Sequence, residues 1–139
     1  NHRLGLDDAA MLKENHIAWA GGVEPAIQSI RANSPWTSKI IVEAETFEDA
    51  KQAIEAGADG ILLDEFTPEM LHSSVPLLRN LAESNTKQRV TSQLVIEASG
   101  VDPADIKSYA STGVDLISTS APITRSPWID LSMRFQQTS

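Results

Sequence analysis

Short apolar runs alternate with amphipathic segments along this chain. Each run is nearly continuous in apolar character, which is typical of parallel strands that are buried on both faces. The pattern therefore predicts five strands, at Ala10–Glu14, Ile40–Ala44, Ile61–Asp64, Leu94–Glu97 and Val114–Thr119.

The segments between these runs show the spacing of amphipathic helices, and several begin with a recognisable start signal. Thr46 with Asp49 resembles a capping pair, and Thr67-Pro68 and Asp102-Pro103 read as an N-cap followed by a first-turn proline. Gly57 and Gly113 lie where helices should end. The apolar stripes predicted for these helices are Val23, Ala26, Ile27 and Ile30; Ala50, Ala53 and Ile54; Leu71, Val75, Leu78 and Ala82; and Ile106, Tyr109 and Ala110.

Repeated strand–helix units with short turns favour a β/α barrel or a doubly wound sheet. A weak internal repeat, residues 57–62 against residues 113–117, marks the same helix-to-strand turn twice. No GxGxxG or Walker loop is present, which counts against the nucleotide-binding doubly wound folds. Five strands cannot close a barrel, for which eight is usual. We therefore expect an α/β fold, an incomplete parallel β/α barrel of about five βα units.

Composition narrows the function classes. The chain has 139 residues, is 41% hydrophobic and has a net charge of −8, which argues against a nucleic-acid-binding surface. It has no apolar run long enough to span a membrane and no cysteine for disulfides or thiolate metal sites. We expect a cytoplasmic protein that binds neither nucleic acid nor membrane, in which Trp19, Trp36 and Trp128 are packing residues.

Polar residues recur where the predicted strands end, and in β/α barrels the active site lies at the carboxyl ends of the strands. Such a ring suits a polar, phosphorylated substrate. Its members are Lys13 to His16, Glu43 and Glu45, Asp64 and Glu65, Glu97 to Gly100, and Ser118 to Ser120.

Two of these ends resemble phosphate-binding loops. Ser99-Gly100 precedes a predicted helix start at Asp102, so backbone N–H groups and the helix dipole would favour an anion there. Ser118–Ser120 offers hydroxyl groups on the next loop, and barrels often bind phosphate with their last loops. The alternative is that both are ordinary turns.

Glu43 and Asp64 form the best carboxylate pair, because they end adjacent predicted strands. Two such carboxylates can bind ribose hydroxyls, hold Mg²⁺ through water or stabilise developing positive charge. A structural ion pair with Lys13 is the alternative reading.

Cationic and donor groups concentrate at the start of an otherwise acidic chain, at His2, Arg3, Lys13 and His16. This cluster could receive carboxylates or a diphosphate. A lone histidine is more often structural than catalytic, so His16 has that alternative role. The spacing suggests no transition-metal site.

These residues together resemble the quinolinate phosphoribosyltransferase family, in order over essentially the whole chain. The family signature has a His-Arg pair ahead of a Lys-Asp-Asn-His segment, then VEVE, EAGAD, LLDN, EASGG, TGVD-IS and a Leu-Asp-containing ending. The matching segments here are Asn1–Asp8, Met11–His16, Val42–Glu45, Glu55–Asp59, Leu62–Asp64, Glu97–Gly100, Thr112–Ser118 and Pro127–Ser132.

The resemblance implies transfer of a phosphoribosyl group from phosphoribosyl pyrophosphate to quinolinate with decarboxylation, giving nicotinate mononucleotide, pyrophosphate and CO₂ in NAD biosynthesis. It implies Lys13, Glu43 and Asp64 as catalytic residues, and Mg²⁺ held by Glu43 and Asp64, through water if not directly. The substrate-binding residues that it implies are His2, Arg3 and Lys13 for carboxylates and nearby phosphate oxygens, and Ser99, Gly100 and Ser120 for the 5′-phosphate.

The resemblance also implies that residues 1–139 are the C-terminal part of a β/α-barrel catalytic domain. The family's N-terminal domain and an upstream Arg-Lys pair would then be absent, and the full-length protein would be a homo-oligomer. We expect this chain alone to be inactive.

Four departures from the family pattern leave alternatives open. Glu14 replaces an aspartate, Glu65 replaces an asparagine, Val101 takes the place of a second loop glycine and Ser120 replaces a glycine. The alternatives are a non-catalytic or regulatory phosphate-binding relative of the same barrel, or a molybdenum-associated homologue.

Overall fold

A computed structural model describes residues 8–85 and 93–127 of the chain. All five predicted strands are confirmed, with ends that differ by at most two residues. In those ranges no helix is long and apolar enough to cross a membrane. The strands are β1 (Ala9–Leu12), β2 (Lys39–Ala44), β3 (Gly60–Asp64), β4 (Val95–Ser99) and β5 (Leu116–Ile117), and the helices are α1 (Glu14–Ala20), α2 (Val23–Asn33), α3 (Phe47–Glu55), α4 (Pro68–Ser84), α5 (Ile106–Ala110) and α6 (Ala121–Thr124), with a 3₁₀ turn at Pro103–Asp105.

The sheet is entirely parallel, and its strand order is the order of the chain, β1 to β5. Because crossover connections between parallel strands are right-handed, an order that never reverses places the connecting helices on one face. A doubly wound sheet reverses its order at a switch point. The described part of the chain is therefore five βα units of an incomplete β/α barrel, as predicted.

Side chains alternate between the two faces of the sheet. In β2, Ile40, Val42 and Ala44 are buried against the helices, whereas Lys39, Ile41 and Glu43 lie on the opposite face, which is called the inner face below. The register carries this alternation across the sheet. The inner-face residues are Ala9 and Met11; Lys39, Ile41 and Glu43; Gly60, Leu62 and Asp64; Val95, Glu97 and Ser99; and Leu116.

Two predicted helix starts are confirmed by their hydrogen bonds. The Thr46 hydroxyl accepts from the Asp49 backbone N–H at 3.1 Å, and the Thr67 hydroxyl accepts from that of Met70 at 3.3 Å. The predicted stripes of α3 and α4 are buried throughout: Ala50, Ala53, Ile54, Leu71, Val75, Leu78 and Ala82.

The start at Asp102 does not lead to the predicted amphipathic helix. The chain forms a 3₁₀ turn and then only the short helix α5, of whose apolar residues Tyr109 alone packs against the core. Ile106 is 41% exposed and Ala110 is also exposed. The start itself is also confirmed, since Pro103 follows Asp102 and the Asp102 carboxylate accepts from the Ala104 N–H at 3.0 Å. The stripe predicted behind it was wrong, because a helix of little more than one turn cannot bury a continuous stripe.

The packing role predicted for two tryptophans was also wrong. Trp19 is 90% exposed and Trp36 is 87% exposed. On α1, Ile17 and Ala20 pack against the core, and Trp19 lies between them on the solvent side. Trp128 lies outside the described residues.

Two arginines close equivalent helix-to-strand turns. Arg31 on α2 donates to the Asp59 carboxylate at 2.6 Å, to the Ser38 carbonyl at 2.9 Å and to the Gly57 carbonyl at 3.3 Å. The same Asp59 oxygen accepts from the Ile40 backbone N–H at 2.8 Å. We call this set the first clamp. It joins a helix, the strand that follows it and the turn into the next strand.

Arg79 on α4 repeats this arrangement around Asp115. It donates to the Asp115 carboxylate at 2.9 Å, to the Gly113 carbonyl at 2.8 Å and to the Leu94 carbonyl at 3.3 Å, and Asp115 accepts from the Ile96 N–H at 2.8 Å. This second clamp gives the weak sequence repeat a physical meaning, because the repeated aspartate is the residue that closes the turn.

The first clamp should stabilise the fold more than the second. The Asp59 side chain is 1% exposed and that of Asp115 is 32% exposed. Removing one partner of a buried pair costs about 3–5 kcal/mol, whereas an exposed pair contributes at most about 1 kcal/mol. We expect Asp59→Ala to lower the free energy of unfolding by about 3 kcal/mol and Asp115→Ala by clearly less, in urea denaturation. The exposed Glu48→Ala is the control, and equal costs for the two clamp variants would contradict this ranking.

Glu65 adopts a left-handed backbone conformation that suits glycine or asparagine better. Its φ is +56°, and it is the one non-glycine residue with positive φ in residues 8–85 and 93–127. That conformation costs most residues about 1–2 kcal/mol, and asparagine less because its side chain bonds locally. We expect Glu65→Asn to raise the free energy of unfolding by about 0.5–1 kcal/mol, measured by thermal and urea unfolding.

The matched control is Glu45→Asn, an exposed bend residue without positive φ. If both changes alter stability equally, relief of backbone strain at Glu65 is not the cause.

Candidate active site

The predicted carboxylate pair lies on neighbouring parallel strands and on one face of the sheet. Glu43 of β2 is in register with Leu62 of β3, and Asp64 follows two residues further along β3 on the same side. Both residues occupy the carboxyl ends of their strands, next to Lys13, which follows β1. The structure therefore brings together the three residues predicted to be catalytic.

Lys13 is paired with Glu43. Its ammonium group lies 2.5 Å from the Glu43 carboxylate, with 49% of the lysine side chain and 11% of the glutamate side chain exposed. The hydrogen bond to Glu43 raises the pKa of Lys13, and the charges of Glu43, Glu14 and Asp64 add to this effect. A raised lysine pKa means that the pair is intact below the ordinary lysine pKa and is lost as pH rises through the raised value. Lys13 is thus a permanent cation at neutral pH.

The ion pair is the alternative that the sequence left open, and it does form. It lies at the half-exposed mouth of the sheet rather than in the core. Exposed pairs contribute little to stability. The pair places the nearly buried Glu43 carboxylate against a half-exposed ammonium group.

The first predicted phosphate loop adjoins Asp64. Ser99 at the end of β4 is in register with Asp64, and a Cβ atom added to Gly100 would lie 3.6 Å from an Asp64 carboxylate oxygen. Gly100 has a φ of +75°, which disfavours a side chain at this turn. The loop thus approaches the carboxylate with its backbone.

The second predicted loop is hydrogen-bonded to the first. The Ser118 N–H donates to the Ala98 carbonyl at 2.9 Å, and the Val101 N–H donates to the Ser118 carbonyl at 3.2 Å. Ser120 begins the single turn of α6. The described site residues therefore follow the carboxyl ends of all five strands.

Val101, which replaces a second loop glycine of the family pattern, is a core residue. It is 2% exposed and packs within the main apolar cluster. Its side chain therefore points away from the loop surface that would receive an anion. This departure leaves the surface formed by Ser99 and Gly100 open.

The helix dipole predicted behind Ser99-Gly100 is weaker than expected. The segment begins with the 3₁₀ turn and continues as a helix of five residues, so few peptide dipoles align there. Hydroxyl and backbone groups of the two loops remain as the anion donors.

His16 has the structural role that was its alternative. Its Nδ1 accepts a hydrogen bond from the Lys13 backbone N–H at 3.1 Å. This contact caps α1 and fixes the turn that orients Lys13. His2 and Arg3, predicted to bind carboxylates, lie outside the described residues.

Two side-chain links beside the site were not found by sequence reasoning. Arg125 donates to the Asp102 carboxylate at 2.6 Å, and the Tyr109 hydroxyl donates to the Phe66 carbonyl at 3.0 Å. The Ala104 backbone N–H, followed by the Arg125 guanidinium, holds the pKa of Asp102 below its ordinary value. The sequence offered two signals for the ion pair. One is an aspartate two residues after a loop glycine, and the other is an arginine one turn after Ser120.

An open groove of about 700 Å³ runs along the inner face of the sheet. It passes from Lys39 at the amino end of β2 past Glu97 to Ser118 and Thr119 at the mouth. Lys13, Glu43 and Asp64 do not line it, so this groove is the open inner face of the incomplete barrel rather than the site of the carboxylate pair. Within residues 8–85 and 93–127 no group of three His, Asp or Glu side chains is arranged to hold a metal ion by itself.

Comparison with known proteins gives a consistent result. Residues 1–134 match the family model for the quinolinate phosphoribosyl transferase C-terminal domain. A probable carboxylating nicotinate-nucleotide pyrophosphorylase of Synechocystis is 47% identical over 135 residues, and the human carboxylating nicotinate-nucleotide pyrophosphorylase is 34% identical over 134. The crystal structure of NadC from Streptococcus pyogenes matches with a TM-score of 0.72 at 34% identity, covering 87% of this chain and 39% of that one.

These matches cover 96% of this chain but only 43% of the Synechocystis protein and 42% of the human one, so the chain spans less than half the length of these relatives. The family model covers nearly the whole chain, and the motifs at the ends of β1 to β5 supply the site just described. The chain belongs to the quinolinate phosphoribosyl transferase C-terminal domain family.

Proposed function

We propose that this chain is the C-terminal part of the β/α-barrel catalytic domain of a quinolinate phosphoribosyltransferase. The reaction is phosphoribosyl transfer from phosphoribosyl pyrophosphate to quinolinate with decarboxylation, which gives nicotinate mononucleotide, pyrophosphate and CO₂ for NAD synthesis. The observation that carries the proposal is the placing of Lys13 against Glu43, with Asp64 beside the Gly100 loop, at one mouth of the sheet.

Each end of this mouth suits one part of the reaction. Ser99, Gly100 and Ser120 offer hydroxyl and backbone donors for a 5′-phosphate, so the ribose would lie over Asp64. The bond between ribose and diphosphate breaks through a state with oxocarbenium-like charge. Glu43 and Asp64 can stabilise that charge with their carboxylates, and that of Glu43 is already held by Lys13.

Lys13 supplies the positive charge that the second substrate needs. Quinolinate is a dicarboxylate, and its decarboxylation leaves electron density on the pyridine ring. The ammonium group of Lys13 stays charged because Glu43 raises its pKa. Lys13 can therefore orient a carboxylate and offset negative charge on the ring, and we assign His2 and Arg3 to the same substrate.

The carboxylates at this mouth suit a Mg²⁺ ion that binds together with the phosphate groups of the substrate. Mg²⁺ is commonly held by one or two carboxylates together with substrate phosphates, and keeps several waters. Asp64 and Glu43 provide the two carboxylates, although Glu43 is shared with Lys13. When bound, the ion would neutralise charge on the leaving diphosphate.

The remaining parts of the proposal concern the whole protein. The chain covers less than half of its relatives, so we propose that an N-terminal domain and an Arg-Lys pair are supplied upstream. We propose a cytoplasmic homo-oligomer that binds neither nucleic acid nor membrane, in line with the net charge of −8.

Neutralising Glu43 should affect both the lysine and turnover. We expect Glu43→Gln, in a chain extended upstream as in the relatives, to lower the pKa of Lys13 toward its ordinary value and to reduce kcat about a hundredfold. The pKa is followed by NMR titration of the lysine ammonium, and kcat by nicotinate mononucleotide formation. Glu48→Gln, on the exposed side of α3, is the control. An unchanged kcat would remove Glu43 from the catalytic residues.

The 139-residue chain alone should turn over quinolinate far more slowly than an extended chain. Two or three missing cationic contacts, at about 2 kcal/mol each, correspond to a loss of at least several hundredfold. Both chains are assayed side by side for nicotinate mononucleotide, with circular dichroism to verify folding. Equal rates would mean that residues 1–139 hold a complete site and would overturn the expectation that this chain is inactive.

A further inference from the structure

We infer that the ion pair between Asp102 and Arg125 is a strap that holds two phosphate-binding loops together. The first loop comprises residues 99–102, from the last residue of β4 onward, and the second comprises residues 118–120 after β5. The inference rests on the proposed function, since it assumes that these loops seat the phosphate group of the substrate. Asp102 and Arg125 are then positioning residues, which act through the loops and not by touching the substrate.

The two loops need such a link because β5 is very short. Only Glu97 with Leu116 and Ala98 with Ile117 are in register between β4 and β5. Two backbone hydrogen bonds, both made by Ser118, extend this pairing into the loops. Ser120 lies beyond the last of these bonds, although it must face Gly100 for both to reach one phosphate group.

Asp102 is placed to bridge the loops because its two carboxylate oxygens have different partners. One oxygen accepts from the Ala104 backbone N–H at 3.0 Å, which fixes the side chain to its own turn. The other accepts from the Arg125 guanidinium at 2.6 Å. Because the carboxylate is bound to both groups, it holds Arg125 at a fixed distance from the first loop.

Arg125 is in turn rigidly connected to Ser120. The Ser120 carbonyl accepts from the backbone N–H groups of Ile123 and Thr124, both at 2.9 Å, and from the Thr124 hydroxyl at 3.1 Å. The Arg125 N–H closes the same turn on the Ala121 carbonyl at 2.9 Å. A fixed turn therefore runs from Arg125 to Ser120, and the ion pair sets the separation of Ser120 from Gly100.

The strap should have a moderate effect, because the side chains of Asp102 and Arg125 are 37% and 63% exposed. Exposed ion pairs change equilibria by about two- to fivefold. We expect Asp102→Asn and Arg125→Gln each to weaken binding of inorganic phosphate by about two- to fivefold. Asparagine still caps the turn at Ala104, so the first change removes the charge without removing the cap.

The test is a titration of the wild-type chain and its variants with inorganic phosphate, followed through the backbone amide signals of Gly100 and Ser120. The set comprises Asp102→Asn, Arg125→Gln and their combination. We expect the double variant to lose no more affinity than either single variant. Lys51→Gln is the control, since it removes an exposed cation paired with Glu48 on α3.

The outcomes separate the strap from its rivals. If Arg125 bound phosphate directly, Asp102→Asn would free the guanidinium and leave binding unchanged or tighter, and that result overturns the strap. Wild-type affinity in both single variants overturns it as well. If the wild-type chain moves neither amide signal at millimolar phosphate, the proposed phosphate site itself fails, and the strap fails with it.

Discussion

The turn between each outer helix and the inner strand that follows must be closed, and two arginine–aspartate clamps do this, the buried first clamp more strongly than the second. In a parallel sheet every strand must be reached by a crossover, so the turns at the amino ends contain backbone groups that the ladder does not pair. Arg31 with Asp59, and Arg79 with Asp115, bond those groups while holding a helix against the sheet. With the amino ends fixed, the opposite ends of the strands are free to differ in chemistry.

The structural contacts and the candidate active site therefore occupy opposite ends of the sheet. The clamps lie at one end of the sheet, and Lys13, Glu43, Asp64 and Gly100 lie at the other. At the mouth, neighbouring elements are joined by side chains, Lys13 to Glu43 between the first two strands and Arg125 to Asp102 between the last two. The Glu43 carboxylate is thus held in place without a substrate, and a fixed charge of this kind is what electrostatic stabilisation of a charged transition state requires.

Most of the fold and much of the site could be predicted from the sequence because their signals are local. Continuous apolar runs located all five strands, and Thr46 and Thr67 located two helices through bonds to residues three positions away. The start at Asp102 was also located, but the stripe predicted behind it was wrong because a start signal does not determine helix length. The packing role predicted for Trp19 was wrong because the hydrophobicity of one residue does not tell which side of a short helix faces the core. The clamps and the Asp102–Arg125 pair join residues far apart in sequence, which no local pattern indicates.

The recurrence of the clamp has a consequence for how such a chain assembles. The same interval separates Ser38 from Leu94, Ile40 from Ile96, Gly57 from Gly113 and Asp59 from Asp115. Each clamp is completed within one helix–strand–helix–strand unit, and each strand pairs with its predecessor. No contact of the first clamp requires a residue beyond Asp59. A ribosome-bound chain can therefore form the first clamp while the residues of the second are still being synthesised. The later helices and strands would then add to β3, the last strand of the unit that is already formed.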